Sequence, residues 1–185
     1  MPHIHLPEHL PGITGLLEYR LDTALPIREL TQLLLRGDSS LSEGERELIA
    51  TLISTRNKTA FCTAAHTSAA EMLLGDGTLV EQVKQNYETA PVSEKMKALL
   101  HIAALVQKSG KAVTPDAVER AKNAGATDRE IHDTVLIAAL FCLYNKYVDG
   151  LATALPADES YYSLLGKRIT EKGYMRPPGG YPPPS

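Results

Sequence analysis

The stretch "LSEGERELIATLISTRNKTAFCTAAHTSAA" (residues 41–70) holds two helices and the break between them. Ser42 and Glu45 form a capping box, in which each side chain satisfies a backbone donor the helix start leaves unpaired. Leu48, Ile49, Leu52 and Ile53 recur at helical spacing and define an apolar stripe. The pattern breaks at Asn57–Thr59, and a second helix starts at about Thr59. Cys62 and His66, four residues apart, then lie on one helical face.

Working outward, every periodic segment reads as a helix. Upstream, Pro2, Pro7 and Pro11 prevent a continuous helix, because proline removes a donor and restricts its predecessor. Short helices then cover "ITGLLEYRL" (13–21) and "IRELTQLLLRG" (27–37), the latter closing at Gly37. The helix of Cys62 stops near "GDG" (75–77), where glycine permits a left-handed exit. "PVSEKMKALLHIAALVQKSG" (91–110) follows. "TPDAVERAKNAG" (114–125) then has Thr114 as cap, Pro115 at the first helical position and Gly125 past the end. A second capping box, Thr127 with Glu130, opens a helix over 127–154. Its run from Val135 to Leu143 is apolar on every side, so it is expected to be the most buried helix or an oligomer contact. A last helix covers roughly 158–173. No alternating strand pattern and no fixed-period repeat occurs. The expectation is an all-α helical bundle in one domain, with its core at about 12–173, an extended N-terminal arm (1–11) and a proline-rich C-terminal tail (174–185).

Composition narrows the function classes. The 185 residues are 43% hydrophobic and 22% charged, with a net charge of −3. No basic block is available to neutralise phosphates, so nucleic-acid binding is not expected. "TVLIAALFCLY" (134–144) is too short to span a bilayer, and the first residues lack the layout of a secretory signal. Two cysteines, Cys62 and Cys142, are no disulfide framework, and a cytoplasmic location is the simpler expectation.

Cys62 and His66 carry the chemistry. A free thiol is only about 3% ionised at neutral pH. A helix N-terminus and a neighbouring imidazolium both favour the thiolate, which is the nucleophile. Thr63, Ala64, Ala65, Thr67, Ser68, Ala69 and Ala70 allow another helix to approach closely, placing the pair in a narrow slot. The competing reading is a buried structural cysteine beside an ordinary core histidine. By periodicity Glu47 falls almost opposite the stripe of its helix and reads as a surface carboxylate. Its face also carries the small residues Ala50, Thr51 and Ser54.

The segment 41–66 resembles the core of the AhpD-like superfamily, which includes alkyl hydroperoxidase AhpD, peroxidase-related proteins and carboxymuconolactone decarboxylases. There a glutamate on one helix precedes Cys-x-x-Cys-x-x-x-His on the next, and the matching positions are Glu47, Thr59, Cys62 and His66. "LPEHLPGITGLL" (6–17) and "NKYVDGLATALPADESYY" (145–162) resemble the peroxidase-related branch. The resemblance implies an AhpD-like helical fold and a catalytic set in which Cys62 attacks a hydroperoxide. His66 is then its base or orienter, and Glu47 the terminal proton acceptor. Two departures stand out. Thr59 occupies the resolving position, so an oxidised Cys62 needs an external thiol. Phe61 replaces a polar residue of the motif.

The expected partners are therefore a small hydroperoxide, an external thiol reductant and further copies of the chain, with no nucleic acid, membrane, cofactor or metal. His3, His5 and His9 sit on a proline-rich arm without the rigid spacing of a zinc site. "LLGDGTL" (73–79) lacks the glycines and the Lys-Ser/Thr of a phosphate loop. Cys142, within "LFCLY", reads as core. Two alternatives share the fold: a carboxymuconolactone-decarboxylase-like acid–base enzyme using His66 and Glu47, and a non-catalytic oligomer with an inert inherited site.

Overall fold

A computed structural model describes residues 1–158 and 160–181. Among these residues the chain is all-α and has no strand. In order, the helices are α1 (Ile13–Tyr19), α2 (Leu21–Arg36), α3 (Glu43–Asn57), α4 (Ala60–Leu74), α5 (Gly77–Asn86), α6 (Glu94–Lys108), α7 (Pro115–Asn123), α8 (Asp128–Gly150) and α9 (Ser160–Lys172). A short 3-10 turn, Gly110–Ala112, joins α6 to α7.

Helix boundaries follow local chemistry. Both capping boxes are formed, Ser42 with Glu45 at α3 and Thr127 with Glu130 at α8. Thr114 caps α7 with Pro115 at its start, and Gly75 ends α4 with φ of 67°. Two elements differ from the sequence reading. Helix α2 begins six residues earlier, at Leu21, and carries Pro26 inside it. Pro26 cannot donate to the Asp22 carbonyl, so α2 forfeits one backbone bond there. Helix α5 is an additional element, started by the Asp76 side chain accepting from the Leu79 amide.

Helix α3 occupies the centre. Every residue from Arg46 to Ser54 is buried, so α3 is enclosed on all sides. Helix α8, expected to be the most buried, packs one side against α3 and α6 through Ile137, Ala138 and Phe141. Its other side is less covered, with Leu143 46% exposed. Helix α4 crosses α3, and α9 lies on the far side of α4. That last contact is close: a Cβ on Gly166 of α9 would meet the Ser68 side chain of α4 at 2.4 Å. The small residues of 63–70 thus admit a neighbouring helix.

Both terminal segments fold back onto the helices. The His3 amide donates to the Leu151 carbonyl, and Leu6 is buried in a second apolar cluster with Leu16, Phe61, Cys62, Ala65, Val148, Leu165 and Ile169. After α9, Tyr174 is half-buried, Arg176 pairs with Glu18, and Tyr181 lies against Arg28 and Arg168. The final proline run expected in the tail, 182–184, lies outside the described residues. Among the described residues no helix is long and apolar enough to cross a membrane.

Gly12 is a backbone position with little freedom. Its φ is 59° with ψ of −140°, a region essentially reserved for glycine, and a Cβ there would strike the Phe61 ring at 2.4 Å. Gly12→Ala is therefore expected to lower stability by about 2 kcal/mol. Gly110→Ala, which meets nothing within 4 Å, is expected to change it by less than about 0.5 kcal/mol. Urea unfolding midpoints check both.

Candidate active site

Helix α3 carries Glu47 and α4 carries Cys62 and His66, and the packing of the two helices pairs Glu47 with His66. Glu47 has no exposed surface. Its position opposite the apolar stripe of α3 points it at α4 and at the returning C-terminal segment rather than at water. A buried carboxylate is tolerated only when donors surround it. His66 Nδ1 lies 2.8 Å from Oε2, Arg36 Nη2 donates to Oε1 at 2.6 Å, and the Tyr174 hydroxyl donates to Oε1 at 2.5 Å.

Burial alone drives the Glu47 carboxyl up. The facing His66, the Arg36 guanidinium and the Tyr174 hydroxyl outweigh that effect and hold it below the usual carboxylate range. An ionised carboxylate only accepts, so the 2.8 Å contact places a proton on His66 Nδ1 and leaves the lone pair of the neutral ring on Nε2. The ring is fixed further by Phe141, edge-on at 4.6 Å between centroids, and by Tyr174, stacked at 6.2 Å. Arg36 lies over the Tyr174 ring, 5.1 Å from its centroid. Burial and the adjacent Glu47 charge push the Tyr174 hydroxyl well above its ordinary value, so it remains a donor.

Cys62 sits in the first turn of α4 and is buried. Here the structure departs from the expectation of a stabilised thiolate. Burial pushes the Cys62 thiol up to about 12, with the Asp149 charge adding to the rise and a hydrogen bond from Asn145 opposing it. Desolvation outweighs the favourable field of the helix end, so the resting group is a neutral thiol. Thr59, at the resolving position, is fully buried, and its hydroxyl donates to Asp149 Oδ2 at 2.6 Å. Phe61 packs against Tyr161 and Tyr162.

Cys62 and His66 open onto one cavity of about 50 Å³. That is space for roughly three waters, or for a small polar group of a ligand. Its walls are mainly apolar, with Ile13, Leu17, Phe61, Leu165 and Ile169, while Arg28, Tyr144, Arg168 and Tyr174 supply polar groups. Glu47 lies behind His66 and does not line the cavity. Among the described residues no three His, Cys, Asp or Glu side chains converge in a way that could hold a metal ion. Cys142 is a separate free thiol on α8 that accepts a long contact from Asn57, 3.7 Å.

No family model matches the sequence, and no curated protein matches it significantly. Solved structures do. A peroxidase-related protein from Silicibacter sp. TM1040 is 27% identical, with a TM-score of 0.75 over 83% of this chain and 78% of its own. An alkylhydroperoxidase AhpD core protein, also described as peroxidase-related, from Ralstonia eutropha JMP134 is 25% identical. Its TM-score is 0.75 over 85% of this chain and 81% of its own. The chain shares the AhpD-like fold and is similar in sequence to these AhpD-like, peroxidase-related proteins. A protein of unknown function from Agrobacterium tumefaciens, assigned to AhpD antioxidant defence, shares the AhpD-like fold at 19% identity. Its TM-score is 0.69 over 78% of this chain and 97% of its own.

The sequence singled out Glu47, Cys62 and His66 but not Arg36, Tyr174 or Asn145. Arg36 was visible only as a basic residue closing a helix. Tyr174, directly after Gly173, gave no periodic signal because it follows the last helix of this AhpD-like chain. Glu47 also makes a stability prediction. Its folded carboxyl titrates below the unfolded range near about 4.3, so its stabilisation is present above that range. It is lost as pH falls through the lower folded value. Glu47→Ala strands Arg36 and the His66 Nδ1–H, and is expected to cost about 3–5 kcal/mol at pH 7. Denaturant unfolding at pH 7 and across the acid range checks both statements.

Proposed function

We propose that this AhpD-like chain is a thiol-dependent peroxidase that reduces hydroperoxides through Cys62, with an external thiol completing the cycle. The observation that carries the reading is the Glu47–His66 pair, whose imidazole lines the same cavity as Cys62. His66 Nε2 takes the proton from the Cys62 thiol as sulfur attacks the distal oxygen of the hydroperoxide. The O–O bond breaks, and the departing alkoxide takes that proton and leaves as the alcohol. Cys62 becomes a sulfenic acid. One molecule of external thiol converts it to a mixed disulfide with loss of water. A second releases a disulfide and restores the Cys62 thiol.

Glu47 has a different role here from a terminal proton acceptor. Held below the usual carboxylate range, it stays ionised, fixes the His66 tautomer and stabilises the imidazolium formed during the step. General-base assistance of this type contributes about 10²–10⁴ in rate, which compensates for a thiol that is hardly ionised at rest. A reducing cytoplasm is the setting that supplies the second substrate. The proposal includes assembly with further copies of the chain, supported by the partly covered Val135, Leu136, Ala139 and Leu143 on one side of α8.

The protonated Cys62 and the threonine at the resolving position favour one competitor, an acid–base enzyme like the carboxymuconolactone decarboxylases that uses His66 with Glu47. The two readings separate cleanly. With cumene hydroperoxide and dithiothreitol, Cys62→Ser is expected to abolish turnover, His66→Gln to lower it about a hundredfold or more, and Tyr174→Phe to lower it about tenfold. Full peroxide turnover by Cys62→Ser would overturn the peroxidase reading. Lactone turnover that survives Cys62→Ser but not His66→Gln would select the acid–base enzyme.

A further inference from the structure

The polar wall of the cavity carries more positive charge than the proposed chemistry uses. Arg28, from the middle of α2, has a side chain only 5% exposed and lines the cavity that Cys62 and His66 share. Its Nε is buried without a hydrogen-bond partner among the described residues. Its Nη1 reaches only the Tyr174 carbonyl at 3.2 Å and the Tyr181 hydroxyl at 3.4 Å. The nearby acid, Glu18, is engaged elsewhere. Arg176 donates to it from Nε at 3.0 Å and from Nη2 at 2.7 Å, whereas Arg28 reaches it only at 3.4 Å.

Arg168, from α9, lines the same cavity. Among the described residues it has no carboxylate partner, and its Nη1 donates to the Tyr181 hydroxyl at 3.0 Å. Both guanidinium groups lie over the Tyr181 ring, Arg28 at 5.7 Å and Arg168 at 5.3 Å from its centroid. A neutral phenol is thus the shared acceptor of two arginines, one of them deeply buried with an unused donor. A buried arginine is well satisfied only by an acceptor that can take its planar fork of donors, which a carboxylate does and a phenol does not.

We propose that the cavity beside Cys62 takes a substrate bearing a carboxylate, held by Arg28 and Arg168 with its reacting end toward Cys62 and His66. The remaining lining is apolar and the cavity small, so it leaves room for no more than a few heavy atoms between the two ends. A groove of about 410 Å³ beyond Arg168 shares Thr14, Leu165 and Arg168 with the cavity. Under the peroxidase reading the substrate is a carboxylated organic hydroperoxide. The reaction assigned to it rests on that reading, while the binding does not.

Calorimetric titration of the full chain with butyrate and with 1-butanol tests the site without any turnover. Butyrate is expected to bind at least about tenfold more tightly. Arg168→Gln, which removes a partly exposed side chain, is expected to bring butyrate down to the level of the alcohol, and Arg28→Gln to do the same where it folds. Equal affinity for the two probes, no binding of butyrate, or an unchanged affinity in Arg168→Gln would overturn the proposal. Inorganic phosphate binding as tightly as butyrate would overturn the carboxylate assignment in favour of an unselective anion site. A chain that binds butyrate but whose Cys62 resists hydroperoxide loses the peroxidase reading and keeps this one. The converse result does the reverse.

Discussion

A carboxylate without access to water must be met by donors from the protein, and Glu47 recruits them from three separate parts of the chain. His66 comes from α4, Arg36 from the last turn of α2, and Tyr174 from the segment after α9. Meeting that requirement brings α2 and α4 to the same end of α3 and returns the C-terminal segment to the centre of the molecule. The same contacts fix the imidazole: its ring is clamped between Phe141 and Tyr174, its Nδ1 is committed, and its remaining nitrogen is the basic one. Organisation of the fold and preparation of the base are one arrangement.

The thiol beside that base is not pre-ionised. Two effects oppose each other at Cys62, the positive end of α4 and desolvation inside an apolar cluster, and desolvation prevails. Asp149, held by the Thr59 hydroxyl, adds negative charge on the same side. Thr59 therefore does more than forgo an internal disulfide. It anchors a carboxylate that works against a resting thiolate, which leaves activation to His66 at the moment of reaction. A thiol kept neutral until a substrate arrives is also protected from indiscriminate oxidation.

Much of the fold could be read from the sequence because its determinants are local. The Ser42–Glu45 and Thr127–Glu130 boxes, the Thr114-Pro115 start and the Gly75 exit each act within one helical turn, and each helix they bound is present. The omissions have equally physical causes. Helix α5 buries only Val80 and Val83, too few positions for periodicity to reveal. The beginning of α2 was hidden by Pro26, an interior proline that α2 accommodates at the loss of one backbone bond. The burial of Glu47 depends on residues 19 and 127 positions away, which no window around it contains. Cys62 and His66 were visible as a pair because four residues separate them. Whether their surroundings favour thiolate or thiol depends on what packs over them, which their spacing does not contain.

The central claim is that Cys62 rests as a protonated thiol and that His66, oriented by Glu47, removes its proton. The most direct test is the rate of Cys62 alkylation by iodoacetamide as a function of pH, in Cys142→Ala, set beside the rate of its oxidation by cumene hydroperoxide. The account predicts an alkylation rate still rising at pH 10, together with a hydroperoxide reaction near neutrality that His66→Gln suppresses. A plateau in alkylation below pH 8, with oxidation indifferent to His66, would contradict it.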